Sequence, residues 1–159
     1  MQPRWGTAAG EAVDRPMKYF SVEPEIAGGW GHNTVYTRAV GKRAQVHKLH
    51  CEFDQWLGDQ LVETGACFIA TARLARAIEG ARLTGVSIDV VEITTSDLYR
   101  ELFPNRSLPN FVWLKIDGRP KCDDFGVAPN LTLIVSERAL ALLRPVGVMD
   151  AATIMPLDS

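Results

Sequence analysis

The alternation of apolar and polar positions along the chain predicts a series of short strands. Residues 18–22 predict a first strand, ended by a turn at Glu23-Pro24-Glu25 and followed by a glycine-rich loop. Residues 45–53 alternate strictly, as one half-buried strand does. The strand predicted at residues 111–116 is apolar on both faces, which is typical of a central position in a sheet. Further strands are predicted at residues 67–70, 86–93, 131–135 and 152–155.

Three helices are predicted between or after these strands, each with a hydroxyl residue at its start. Thr71 caps the first, whose inward positions recur at helical spacing and which Gly85 is placed to stop. Ser96 caps a short second helix that must end before Pro104. Ser136 caps a third that ends near residues 145–147. Because no βαβ unit repeats, this order predicts an α+β fold, with a mixed sheet and a few short helices packed on it.

The length and composition fit one domain with its own core. The chain has 159 residues, 47% of them hydrophobic and 23% charged. Residues 1–16 show no periodicity and predict a flexible tail, so the single α+β domain is expected over residues 17–159. The core is predicted to contain seven side chains from the strands and helices: Phe53, Ile78, Val90, Val112, Leu114, Leu133 and Leu140.

The charge pattern argues against nucleic acid and membranes as partners. Seventeen basic and nineteen acidic residues give a net charge of −2, and the two signs are interspersed. The longest stretches without a charged residue are twelve residues, too short for a helix that spans a bilayer. Residues 1–16 lack the apolar segment of a signal peptide, so a cytoplasmic location is expected.

The cysteines and histidines predict neither disulfides nor a metal site. The three cysteines are an odd number at wide spacing, and Cys51 and Cys67 lie inside apolar runs, so reduced thiols are expected. His47 and His50 are three apart on the predicted strand and point to opposite faces, so they cannot share one ion. We expect one histidine inside and one outside, and no cofactor.

Other short motifs are read as turns rather than as catalytic or cofactor sites. The glycines at residues 28–31 and 41–43 match neither a dinucleotide nor a phosphate-loop fingerprint. Trp30, on the first of these turns, is equally consistent with a contact surface and with a place in the core. Asp123 and Asp124 are adjacent, which favours a solvated turn with Phe125 packed inward over a catalytic carboxylate pair.

The order of several motifs resembles a known family from about residue 17 to about residue 147. The family is the eleventh numbered family of immunity proteins in bacterial polymorphic-toxin systems, earlier described as a domain of unknown function. The most specific motifs are the Asp123-Asp124-Phe125-Gly126 turn and the Ser136-Glu137-Arg138-Ala139-Leu140 helix start. The others are Tyr19-Phe20, Gly29-Trp30-Gly31, Leu49-His50-Cys51-Glu52-Phe53-Asp54, Trp56-Leu57-Gly58-Asp59, Leu83-Thr84-Gly85-Val86 and Leu108-Pro109-Asn110-Phe111.

The resemblance implies a non-enzymatic protein that binds and neutralises a cognate toxin protein. A tight interface tends to have aromatic anchors surrounded by charges that select the partner. The expected contacts are therefore Trp30, Trp56, Asp59, Asp123 and Asp124, and core packing is an equally consistent interpretation for the two tryptophans. The alternative is a small-molecule-binding or enzymatic domain, with a site between the Gly28-Gly31 loop and the Asp123-Asp124 turn.

Overall fold

A computed structural model describes residues 17–157, which form the predicted α+β domain; the tail predicted at residues 1–16 lies outside them. Thirteen strands and three short helices occur in this part of the chain. In order they are β1 Tyr19–Glu23, β2 Glu25–Trp30, β3 Val35–Thr37, β4 Gln45–Lys48, β5 His50–Phe53, β6 Leu61–Thr64, β7 Cys67–Thr71, α1 Ala72–Gly80, β8 Val86–Asp89, β9 Glu92–Thr95, α2 Asp97–Leu102, β10 Phe111–Ile116, β11 Phe125–Val127, β12 Leu133–Ser136, α3 Glu137–Gly147 and β13 Thr153–Pro156.

The main sheet is mixed and has seven strands, in the order β8-β10-β7-β6-β2-β5-β9. Its two edge strands, β8 and β9, are consecutive in the chain and separated only by Val90 and Val91. Three peptide units reach at most about 11 Å, so the two edges of the sheet must come close together. The sheet therefore curls strongly. A four-stranded antiparallel sheet, β11-β12-β1-β13, and the β3-β4 hairpin complete the fold.

The single strand predicted over residues 86–93 is instead two strands separated by a bend. Following the pairings around the sheet, β8 and β9 run in the same direction. One extended segment thus pairs with β10 through its first half and with β5 through its second. At the bend, the N–H of Val90 donates to Asp89 Oδ1 (2.7 Å) and the Val90 side chain turns outward, 81% exposed. Its predicted place in the core was wrong.

The strand predicted over residues 45–53 is also divided, because β4 and β5 belong to different sheets. The break is at Leu49, whose side chain is fully buried, while the hydroxyl of Thr34 donates to the carbonyl of His50 (3.0 Å) and accepts from its N–H (3.0 Å). His47 is exposed and His50 is buried. The expectation of one histidine inside and one outside is confirmed.

The glycines predicted to form a turn at residues 28–31 are mostly in a strand, β2, which pairs with β5 and β6. A Cβ atom built on Gly28 would collide with the carbonyl oxygen of Glu52 on β5. One built on Gly31 would collide with the ring of His50. Gly28 and Gly31 are needed because a neighbouring strand and a buried ring approach the backbone this closely.

The predicted helix starts and most of the predicted core are confirmed. The side chains of Thr71, Ser96 and Ser136 accept hydrogen bonds from backbone N–H groups three residues on. One hydrophobic cluster lies between the main sheet, the four-stranded sheet and the helices α1 and α3. A second is formed by side chains of the main sheet with Trp56, Tyr99 and their neighbours. Of the seven predicted core side chains, Val112 is half-buried, Val90 is exposed, and Phe53, Ile78, Leu114, Leu133 and Leu140 are buried.

Candidate partner-binding groove

A cleft of about 820 Å³ lies between the β3-β4 hairpin and the main sheet. The hairpin strands pair with each other and form a sheet of their own. The cleft is lined on the hairpin side by Arg38, Lys42, Arg43 and His47, and on the sheet side by Trp30, Cys67, Trp113 and Lys115. Because it has an aromatic wall and a basic rim, we call it the cationic cleft.

The hairpin is anchored at its base and exposed at its tip. At the base, the ring of Tyr36 packs on that of Trp30, with 5.1 Å between centroids. Val35 and Tyr36 are nevertheless about half exposed, and Val40 is fully exposed. An isolated two-stranded ribbon is at best marginally stable in water, so the anchoring contacts hold this one in place. The hairpin therefore presents apolar side chains to solvent beside the cleft.

The charge of the cationic cleft is opposite in sign to that of the whole chain. Arg38, Lys42, Arg43 and Lys115 line it together with one carboxylate, that of Asp117. Lys115 Nζ lies 3.4 Å from the Asp89 carboxylate and 4.9 Å from the centre of the Trp113 ring. Even when Asp89 is counted, four cations face two carboxylates. Within residues 17–157, Arg38, Lys42 and Arg43 form no ion pair.

Trp30 and Cys67 form the wall of this cleft where it meets the β6-β7 turn. Trp30 is half-buried, and its Nε1–H donates to the carbonyl of Thr64 (3.1 Å). Cys67 is half-buried, and burial raises the pKa of its thiol to about 11. The three cysteines are free, and Cys122 is exposed. Trp30 is thus partly packed and partly open to the cleft, and its contact with a partner stays a prediction.

A second cleft, of about 660 Å³, is acidic. It is lined by Glu23, Glu25 and Glu63 together with Ile26 and Leu57, and its lining among the described residues contains no basic side chain. Burial raises the pKa of Glu63, the hydrogen bond from the Ala66 backbone opposes this, and the like charge of Glu23 raises it further. We call it the acidic cleft, and the two clefts together the groove.

Trp56 and Asp59, both predicted contacts, are buried in a loop that internal hydrogen bonds hold. Trp56 Nε1–H donates to the carbonyl of Asp59 (2.8 Å), and the guanidinium of Arg106 lies 4.7 Å from the centre of its ring. Asp59 Oδ2 accepts from the N–H of Ala151 (2.9 Å). Glu25 accepts from the N–H groups of Leu57 (2.5 Å) and Asp59 (3.2 Å). Such burial argues for packing rather than for contact with a partner.

The predicted inward packing of Phe125 is confirmed. Asp124 is buried as well, so the prediction of a solvated turn was wrong. Its carboxylate accepts from the N–H of Thr84 (2.9 Å), the hydroxyl of Ser136 (2.6 Å) and the guanidinium of Arg138 (2.9 Å). Burial raises the pKa of Asp124, but these hydrogen bonds outweigh it and hold the pKa below its ordinary value. Asp123 is half-buried and accepts from the N–H of Arg119 (2.8 Å). Contact of any of these residues with a partner stays a prediction.

A His-hydroxyl pair in the main sheet, His50 with Thr94, has the wrong proton arrangement for nucleophilic catalysis. His50 Nε2 lies 2.8 Å from Thr94 Oγ1, which resembles a base beside a nucleophile. His50 Nδ1, however, accepts the N–H of Asn33 (3.2 Å). The proton of the neutral ring must therefore be on Nε2, which donates to Thr94 and cannot take its proton. The pair instead links β5 to β9.

The two segments of the predicted alternative site, residues 28–31 and 123–124, belong to different parts of the fold. Gly28, Gly29 and Trp30 are in the main sheet, whereas Asp124 binds the α1-β8 connection and the start of α3. Within residues 17–157, no group of three His, Cys, Asp or Glu side chains is placed to hold a metal ion. No helix in the same range is both long and apolar enough to cross a bilayer.

Comparison of the chain with protein-family models, with curated proteins and with solved structures finds no significant match. The resemblance in motif order therefore stays a hypothesis. Function is therefore inferred from the groove and from the hairpin beside it.

Proposed function

We propose that this protein binds and neutralises a toxin protein, and that the partner docks on the face formed by the β3-β4 hairpin and the groove. The exposed apolar side chains of the hairpin, Val35, Tyr36 and Val40, carry this proposal. Of these, Tyr36 packs on Trp30, which forms the aromatic wall of the cationic cleft. Apolar side chains grouped beside a charged rim are the usual anatomy of a protein interface.

The arrangement fits a protein partner better than a small ligand. Sites for small molecules enclose most of the ligand surface in a concave, largely apolar pocket. Here the apolar side chains project from a hairpin, and the charges lie on the rim of an open cleft. A second macromolecule can cover the hairpin and the cleft together. Of the five predicted contacts, Trp30 lies on this face.

Co-expression with the product of the neighbouring gene tests the proposal. Wild-type protein is expected to restore growth when that product is toxic, and the variant Tyr36→Ser/Val40→Ser is expected to lose this protection. Interface anchors commonly cost at least 2 kcal/mol of binding when truncated, which lowers affinity by about thirtyfold. Leu98→Ser is the matched control, because Leu98 is half exposed on α2 and lies outside the groove.

Two results would contradict the proposal. One is a neighbouring product that is harmless alone or that the purified protein does not bind at micromolar concentration. The other is full protection by a folded Tyr36→Ser/Val40→Ser variant, which would show that the partner docks elsewhere.

A further inference from the structure

The cationic and acidic clefts meet at a ridge formed by two residues, Ala66 and Leu131, which line both clefts. Ala66 belongs to the β6-β7 turn and Leu131 to the β11-β12 connection. Both have a left-handed backbone, with φ of 68° and 71°. Residues other than glycine and asparagine rarely adopt this conformation. At Ala66 it follows from the two-residue β6-β7 hairpin, in which Gly65 and Ala66 both have positive φ.

The ridge carries a partly exposed apolar side chain on a turn that backbone hydrogen bonds hold. Leu131 is 37% exposed. Its N–H donates to the carbonyl of Ala128 (2.8 Å), and the N–H of Ala128 donates to the carbonyl of Thr132 (2.9 Å). The turn is therefore held on both sides of Leu131. A leucine fixed between two clefts of opposite charge is an anchor point for an apolar side chain of a ligand.

The charges on the two sides of this ridge are separated by sign. Arg38, Lys42 and Arg43 lie in the cationic cleft, and Glu23 and Glu63 in the acidic one. Like charges close together on one side repel each other, and a ligand of opposite charge relieves that repulsion. A ligand that crosses the ridge meets positive charge, then apolar surface, then negative charge.

We propose that the groove binds an extended polypeptide segment of the partner that has acidic residues on one side of an apolar side chain and basic residues on the other. That the segment belongs to the toxin rests on the proposed function. The charge order of the segment is inferred from the charges of the two clefts alone. Its acidic side pairs with the hairpin cations, its apolar side chain packs on Leu131, and its basic side pairs with Glu23 and Glu63.

The groove favours a polypeptide over a nucleic acid. A basic cleft with aromatic side chains is also suited to single-stranded nucleic acid. A polynucleotide, however, has negative charge at every phosphate, and the acidic cleft would repel the half of the strand that lies in it. A polypeptide can change sign along its length and match both clefts.

Fluorescence anisotropy with labelled nonapeptides tests the charge order. One block peptide has three glutamates, Gly-Leu-Gly and three lysines from its N- to its C-terminus, and a second block peptide has the reverse order. Extended, nine residues span about 30 Å. The control has the same composition with glutamate and lysine alternating. One direction of the block peptide is expected to bind at least tenfold more tightly than the control, and added salt is expected to weaken it. A single-stranded DNA of nine thymidines is measured in the same way, as a representative of nucleic acid ligands.

Protein variants assign the binding to the groove. Lys42→Glu/Arg43→Glu is expected to weaken binding of the block peptide at least tenfold. Arg73→Glu/Arg76→Glu, on the exposed side of α1, is expected to leave it unchanged. Leu131→Asn is expected to weaken binding while the thermal unfolding midpoint stays within a few degrees, since asparagine tolerates the left-handed backbone. That combination separates a ligand contact from a structural role.

The proposal is overturned if the alternating peptide binds as well as both block peptides, if the DNA binds more tightly than either, or if no peptide binds at millimolar concentration. These outcomes are distinguishable from failure of the proposed function. Protection from the toxin that survives Lys42→Glu/Arg43→Glu contradicts the groove as the docking site and leaves the immunity role standing. Ordered peptide binding without any protection contradicts the immunity role alone.

Discussion

Ala66 and Leu131 lie on separate turns, yet both have a left-handed backbone and both border the same two clefts. This conformation costs roughly 1–2 kcal/mol for each residue other than glycine. The fold thus keeps two unfavourable backbone conformations side by side on one surface. Neither is explained by core packing, because Leu131 is exposed and Ala66 is half-buried.

Ala66→Gly is expected to stabilise the fold by about 1 kcal/mol, because glycine adopts the left-handed conformation without steric cost. Chemical denaturation gives the free energy of unfolding. Ala81→Gly is the control, since Ala81 at the C-cap of α1 has an ordinary φ of −83° and glycine there is expected to destabilise slightly. Equal effects of the two substitutions would show that Ala66 is not strained.

Leu114→Ala is expected to lower the free energy of unfolding by about 2–5 kcal/mol, because it leaves a cavity at a buried position of an interior strand. Val90→Ala is expected to change it by less than about 0.5 kcal/mol, since the side chain is exposed at the bend between β8 and β9. A large loss for Val90→Ala would place that side chain in the core, as the sequence pattern alone predicts.

Gly28→Ala is expected to destabilise the protein by about 1–3 kcal/mol or to prevent folding, because the new methyl group meets the backbone oxygen of Glu52. Gly29 is adjacent on the same strand, and a Cβ atom there has no atom of the described structure within 4 Å. Gly29→Ala is therefore expected to be nearly neutral. Thermal melts of the two variants provide the comparison, and similar melting temperatures would contradict the close approach of β2 and β5.

Asp124→Asn is expected to lower stability at pH 7 by about 2–4 kcal/mol, because an amide cannot accept all the donors that surround the carboxylate. Asp123→Asn is the control and is expected to cost under about 1 kcal/mol, since Asp123 accepts one backbone N–H from Arg119.

The pH dependence of this loss has a definite sign. The pKa of Asp124 is lower in the folded protein than its ordinary value of about 3.9. Its stabilising contribution is therefore full above about pH 4 and is lost as the pH falls through the folded pKa. Denaturation of wild type and Asp124→Asn at pH 7 and in acid is expected to show a difference that shrinks in acid. A difference that grows in acid would contradict this.

Local signals made the fold class, the helix starts and most strands predictable. The hydroxyls of Thr71, Ser96 and Ser136 cap helices through contacts three residues away, so the sequence around them contains the whole signal. The bend at Val90 was missed because residues 86–93 are uniformly rich in β-branched side chains, and the distant strands β10 and β5 decide where the segment divides. Gly28 and Gly29 resembled a turn for the same reason: the approach of β5 is not visible in the local sequence.

The candidate site was predictable only in part. Trp30 was predicted from its place beside glycines, and it does line the cationic cleft. Arg38, Lys42 and Arg43 were missed, because their charges stand out only once the hairpin is placed opposite Lys115 and Trp113. Trp56, Asp59 and Asp124 carried the right residue types for contacts, but all three are buried. Their partners Arg106, Ala151 and Thr84 are distant in the sequence, so the burial is not visible locally.

A protein partner is proposed to dock on the face formed by the β3-β4 hairpin and the groove. The most direct test is the dissociation constant of the purified toxin for three proteins by titration calorimetry: wild type, Lys42→Glu/Arg43→Glu and Arg73→Glu/Arg76→Glu. We expect the first substitution pair to weaken binding at least tenfold, or about 1.4 kcal/mol, and the second to leave it unchanged. Equal affinities for all three folded proteins would contradict the claim.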